Sequence, residues 1–125
     1  MRLLKRTKGF SLVEVLIALL ILAISLLALA GLMVTTARNS SFGGHMTEAS
    51  TFAQDKLEQL RVSPWANVAT GNDTRLGSTG ITFTRNWTVT PNADGTQRWV
   101  SITLTWTDPT KNQNHSMRLL SVVRQ

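Results

Sequence analysis

One carboxylate stands alone in an apolar run. Between Phe10 and Ala37 the only charged side chain is Glu14, preceded by Arg2, Lys5, Arg6 and Lys8 with no acid among residues 1–9. An ionised carboxylate inside an apolar helix costs up to roughly 3 kcal/mol at the centre of a membrane, so Glu14 calls for a compensating partner. The other residues with chemical capacity are dispersed. His45 and His115 have no acidic cluster beside either, which argues against a general base or a metal pair. The absence of cysteine excludes a disulfide framework, a thiolate nucleophile and a cysteine-based zinc or iron–sulfur site. Asp94 is a potential calcium ligand, but Asn92-Ala93-Asp94-Gly95 is explained by a hairpin turn. Trp65, Trp87, Trp99 and Trp106 would suit a stacking platform. Trp87 and Trp106, however, fall on the apolar phase of alternating segments and read as core, whereas Trp99 takes the opposite phase and suits a partner contact. Asn-x-Ser/Thr triplets at Asn39, Asn72, Asn86 and Asn114 are accidents of a Ser/Thr-rich chain. No catalytic set, metal site or cofactor emerges, and an enzyme is the least favoured class.

The elements that position these residues divide sharply. At 125 residues and 13.8 kDa there is room for one domain, and the leading apolar residues are concentrated in Phe10 to Val34. The net charge of +6 suggests nucleic acid until its placement is considered: without the four basic residues of 1–9 it falls to +2, and the remaining cations are scattered among acids. The basic leader reads as a cytoplasmic topology signal. Phe10 to Ala37 would span about 42 Å as a helix at 1.5 Å per residue, against a hydrocarbon core of about 30 Å. Leu16 to Ile24 has no polar face, so the helix is lipid-facing or buried all round. An ordinary signal peptide has support from Ala28-Leu29-Ala30 before Gly31, but its apolar region would be too long and would contain an acid. A plain anchor has no use for Glu14.

The string Lys8-Gly9-Phe10-Ser11-Leu12-Val13-Glu14-Val15-Leu16 resembles the class III signal of the type IV pilin superfamily: a basic leader, Gly-Phe, a glutamate at the fifth position after the glycine, and an unbroken apolar helix. The resemblance implies cleavage by a prepilin peptidase between Gly9 and Phe10, methylation of the new Phe10 terminus, and a role for Glu14 in subunit registry and assembly. The physics agrees, since a cut before Phe10 creates a positive α-amine whose opposite charge Glu14 supplies, within the chain or to a neighbouring subunit. Gly31 stands where many major pilins have a helix-kinking proline, and without cysteine the chain cannot close the C-terminal disulfide loop of many major pilins. Ala53 to Arg61 and Trp99 to Trp106 look like PilV-type minor pilins and the related I-type minor pseudopilins of type II secretion.

Beyond the apolar segment, Phe42, Met46, Ala49, Ala53, Leu57 and Leu60 recur at steps of three or four, which predicts a helix ended near Val62 by Pro64. Glu48, Asp55, Lys56, Glu58 and Arg61 lie off that stripe, and Gly43-Gly44 predicts a bend or a locally melted turn. Ser63 to Gly80 reads as a long loop. Three strands follow: Ile81 to Thr90, with Arg85 interrupting its apolar phase; Val100 to Trp106; and roughly Ser116 to Arg124. The expected fold is α+β, a long N-terminal helix packed on an antiparallel sheet of about three strands.

The expected organisation is a cleaved leader at 1–9, a transmembrane or fibre-core helix at 10–34 and a periplasmic domain at 35–125. The resemblance implies a minor pilin held in the bacterial inner membrane, with its N-terminus cytoplasmic, and then built into the priming or tip complex of a type IV pilus. Its partners would be the peptidase, other minor pilins and the major pilin, an inner-membrane platform protein served by a cytoplasmic assembly ATPase, and lipid before assembly; nucleic acid is not expected. The alternatives are a type II secretion pseudopilin and a DNA-uptake pilin whose salt-sensitive binding would depend on Arg75, Arg85 and Arg98.

Overall fold

The computed structural model describes residues 9–125; Arg2, Lys5, Arg6 and Lys8 of the basic leader lie outside the described residues. Helix α1 runs from Leu12 to Val62. Its end is set by local chemistry: Ser63 bonds the Gln59 carbonyl through both its N–H (3.1 Å) and its hydroxyl (2.6 Å), and Pro64 has no N–H with which to continue. The locally melted turn that Gly43-Gly44 would allow does not form, and the helix continues through both glycines. Each glycine costs about 1 kcal/mol relative to alanine, a cost opposed by the burial of His45 and Ala49 in the next turns.

The chain divides into two compact units, the first ending at Ser40 and the second comprising Ser41–Gln125. In the described part of the first, every residue is exposed. In the second, the last part of α1 packs on a four-stranded antiparallel sheet in the order β1-β2-β3-β4, formed by Gly71–Leu76, Thr82–Pro91, Gln97–Asp108 and Gln113–Arg124. The α+β architecture is therefore present. Ala49, Ala53, Leu57 and Leu60 form the buried helix stripe, and the two alanines, fully buried, bring the backbone close to the sheet. Facing them are Phe83 and Trp87 of β2, Val100, Ile102, Leu104 and Trp106 of β3, and Val123 of β4. Burial of such side chains contributes about 1.5–3 kcal/mol each. The period-two patterns of β2, β3 and β4 are thus the ones the sequence displays, and Trp99, on the other phase, is 58% exposed.

The sheet has one strand more than expected. Residues read as a loop contain a 3₁₀ turn at Trp65–Asn67 and strand β1, which pairs with β2 in a register that sets Gly71 opposite Trp87 and Asp73 opposite Arg85. Two flanking bonds hold the strand in place: the Trp87 indole donates to the Ala69 carbonyl (2.8 Å), and the Val89 N–H donates to the Thr70 hydroxyl (2.8 Å).

The connection from β1 to β2 depends on a close approach. A Cβ on Gly77 would lie 2.7 Å from both the Phe83 ring and Glu48 Oε2, while Glu48 Oε1 accepts the Ser78 N–H at 2.6 Å. Gly77→Ala should therefore destabilise the unit by about 1–3 kcal/mol through overpacking. A thermal melt of the two proteins in detergent checks this; an unchanged midpoint would mean that the ring and carboxylate move aside freely. The β2–β3 turn forms as expected, with Asn92 N–H bonded to the Gln97 carbonyl (2.8 Å), Gly95 N–H bonded to the Asn92 carbonyl (3.0 Å), and Gly95 at φ 69°.

Candidate processing and assembly site

Gly9 and Phe10 precede α1, and Phe10 is 83% exposed. The first helical bond runs from the Val15 N–H to the Ser11 carbonyl at 3.2 Å, so Glu14 sits in the first turn, where unpaired N–H groups concentrate positive potential. The three residues singled out by sequence are thus grouped at one helix start. Nothing lies within 4 Å of a Cβ built on Gly9, so packing among the described residues does not require glycine there.

Along the helix that follows, one stretch has a mean hydropathy of 3.0 with none of its surface buried; α1 is the one helix among the described residues long and apolar enough to cross a membrane. So much exposed apolar surface exceeds the few hundred Å² usual for a protein in water, and lipid or other apolar helices must cover it. Its hydroxyls are satisfied internally: Ser25, Thr35 and Thr36 donate to the carbonyls of Ile21, Gly31 and Leu32 at 2.8, 3.1 and 2.9 Å. Glu14 has no salt bridge among the described residues. It is the polar side chain of this helix that most needs an outside partner.

The other candidates are held within the fold. His45 is buried with its Nε2 3.3 Å from the Ser41 hydroxyl, whereas His115 packs between the rings of Phe42 and Trp106. No group of three or more metal-ligating side chains occurs among the described residues. Of the three arginines considered for DNA, Arg98 donates to the carbonyls of Trp65 and Val68 and lies over the Trp65 ring. Arg85 is fully buried: Nε donates to Asp73 Oδ1 at 2.7 Å, Nη2 to Asp73 Oδ2, and Nη1 to the Phe52 carbonyl at 2.7 Å. Its guanidinium holds the Asp73 carboxyl below the usual carboxylate range. Arg75 is the exposed one of the three. Lys56, read from sequence as part of a solvated face, places its ammonium 3.7 Å from the Trp87 ring centroid.

Residues 4–30 match the family described as the prokaryotic N-terminal methylation motif, a stretch that includes Gly9, Phe10 and Glu14. No curated protein and no solved structure gives a significant match to the chain. The chain carries the methylation motif at its N-terminus, and the sheet unit lies outside the matched residues.

Proposed function

We propose that this chain is a minor prepilin: a structural subunit, not an enzyme, that a prepilin peptidase cuts between Gly9 and Phe10 and methylates at Phe10. Held in the inner membrane by the helix at 10–34, with residues 35–125 in the periplasm, it passes into a type IV pilus, where it acts in the priming or tip complex with other minor pilins and the major pilin. The observation that carries this reading is Glu14, without a salt bridge among the described residues, at the start of an apolar stretch of α1 that is exposed throughout, one turn after a Gly-Phe pair. Cutting before Phe10 supplies the missing positive charge. Membrane lipid holds the helix before assembly, and a platform protein receives it. The PilV-type resemblance of the C-terminal segments supports the minor rather than the major role.

The test is the N-terminal mass and sequence of protein recovered from cell envelopes. An N-methylated Phe10 terminus is expected; a terminus at Gly31 would overturn the reading in favour of an ordinary secreted domain. Within it, Glu14→Ala should leave cleavage intact and lower incorporation into sheared fibres about tenfold, the factor that about 1.4 kcal/mol of docking free energy produces. Normal incorporation would refute the registry role.

A further inference from the structure

Strand β4 ends the sheet with its outer edge open. It pairs with β3 over twelve residues in an unbroken register, contains no proline, and among the described residues no backbone hydrogen bond reaches its far side. The opposite edge, β1, is only six residues long. Long, regular, unguarded edges are templates for a further strand, and folded proteins ordinarily blunt them.

The side chains beside this edge are specific. The outward phase of β4 reads Arg118, Leu120, Val122, Arg124. Trp99 of β3 lies directly opposite Val122 and diagonal to Leu120, and Trp99 and Leu120 are 58% and 68% exposed. An apolar patch is thus framed by two arginines on a face otherwise made mostly of threonine, serine and asparagine, with Gln97 opposite Arg124 and Leu76 on the far strand. No acid occupies the outward phase of any strand, and neither arginine has a salt bridge among the described residues. A second copy is a poor occupant. Antiparallel pairing of two β4 edges about Ser121, the register that joins their apolar residues, sets Arg118 opposite Arg124 at both ends, and like charges directly opposed are destabilising.

The geometry points to β4 as a docking edge for an extended segment of a different protein, added as a fifth strand, with apolar side chains against Leu120, Val122 and Trp99 and carboxylates against Arg118 and Arg124. Main-chain bonds would give the affinity, and the framed patch the register and specificity. This rests on the sheet alone and is independent of how the N-terminus is processed.

The test uses the full chain in neutral detergent and a fluorescein-labelled peptide, Glu-Thr-Val-Thr-Val-Thr-Glu, whose carboxylates are spaced as the two arginines are. Fluorescence anisotropy should show saturable binding about tenfold tighter than that of the same peptide with lysine in place of glutamate. In the Arg118→Glu/Arg124→Glu variant the preference should invert, an outcome that unfolding cannot mimic. A version N-methylated at alternate amides should lose binding. Equal affinity for the acidic and basic peptides, equal binding of the N-methylated form, or no saturation below about 1 mM would overturn the proposal. So would a dimer, seen by sedimentation, that Leu120→Ser abolishes, since that would make a second copy the occupant.

Discussion

Gly9→Val should leave essentially all of the protein at its precursor mass. A Cβ at this position meets nothing within 4 Å, so the added side chain starts in open space and does not disturb the packing of the described residues. On the proposed reading the effect arises where the peptidase handles the bond between residues 9 and 10, with the glycine leaving room for it to approach the backbone. Intact mass of envelope-derived protein checks the result, with the unfolding midpoint of the sheet unit as a control that should not move. Normal maturation of the variant would remove the class III assignment and with it the charge pairing argued for Glu14.

The second large effect is expected at Asp73. With Arg85 fully buried and its guanidinium bonded to both carboxylate oxygens, Asp73→Ala leaves a charge inside the core with the Phe52 carbonyl as its remaining hydrogen-bond partner among the described residues and the Trp87 ring 5.9 Å away. Breaking a buried pair in this way costs about 3–5 kcal/mol. Arg85→Met should cost less, because the stranded Asp73 side chain is already 35% exposed and can be hydrated. The double variant should be more stable than Asp73→Ala alone. Acid should act through the same pair. Asp73 titrates lower when folded than when unfolded, so its contribution is complete above the unfolded value near pH 4 and is lost as pH falls through the lowered folded value. Denaturant midpoints of wild type and Arg85→Met between pH 7 and pH 2 should converge. Parallel curves would mean that the pair contributes nothing to acid sensitivity.

These two sites differ in how far the sequence discloses them. Gly9, Phe10 and Glu14 stand out in the sequence because the roles proposed for them depend on local order and on the cost of one charge in an apolar run. Strands β2 to β4 are legible because Phe83, Trp87, Val100, Ile102, Leu104, Trp106 and Val123 alternate with threonine and serine. Strand β1 is not. Gly71-Asn72-Asp73-Thr74-Arg75 has poor strand formers and no apolar phase, and it becomes a strand through long-range contacts: Asp73 meeting Arg85, and Gly71 receiving the Trp87 ring. The available signal was Arg85 itself, a cation in the buried phase of its strand that required an acid from somewhere else in the chain. Gly43-Gly44 suggested a melted turn for the complementary reason, since propensity alone predicts a weak point at which the burial of His45 and Ala49 keeps the helix formed.

The distribution of aromatic chromophores has a practical consequence. The chain has no tyrosine, and all four tryptophans lie in the unit that begins at Ser41. Ultraviolet emission from the whole protein, even embedded in vesicles, is therefore blind to the apolar helix and reports on the sheet unit alone. Trp87 and Trp106 are buried and should emit at short wavelength, whereas the exposed Trp99 should supply the red component and the iodide-quenchable fraction. Melting of the sheet and extraction of the helix from lipid thus become optically separate events in an unlabelled protein.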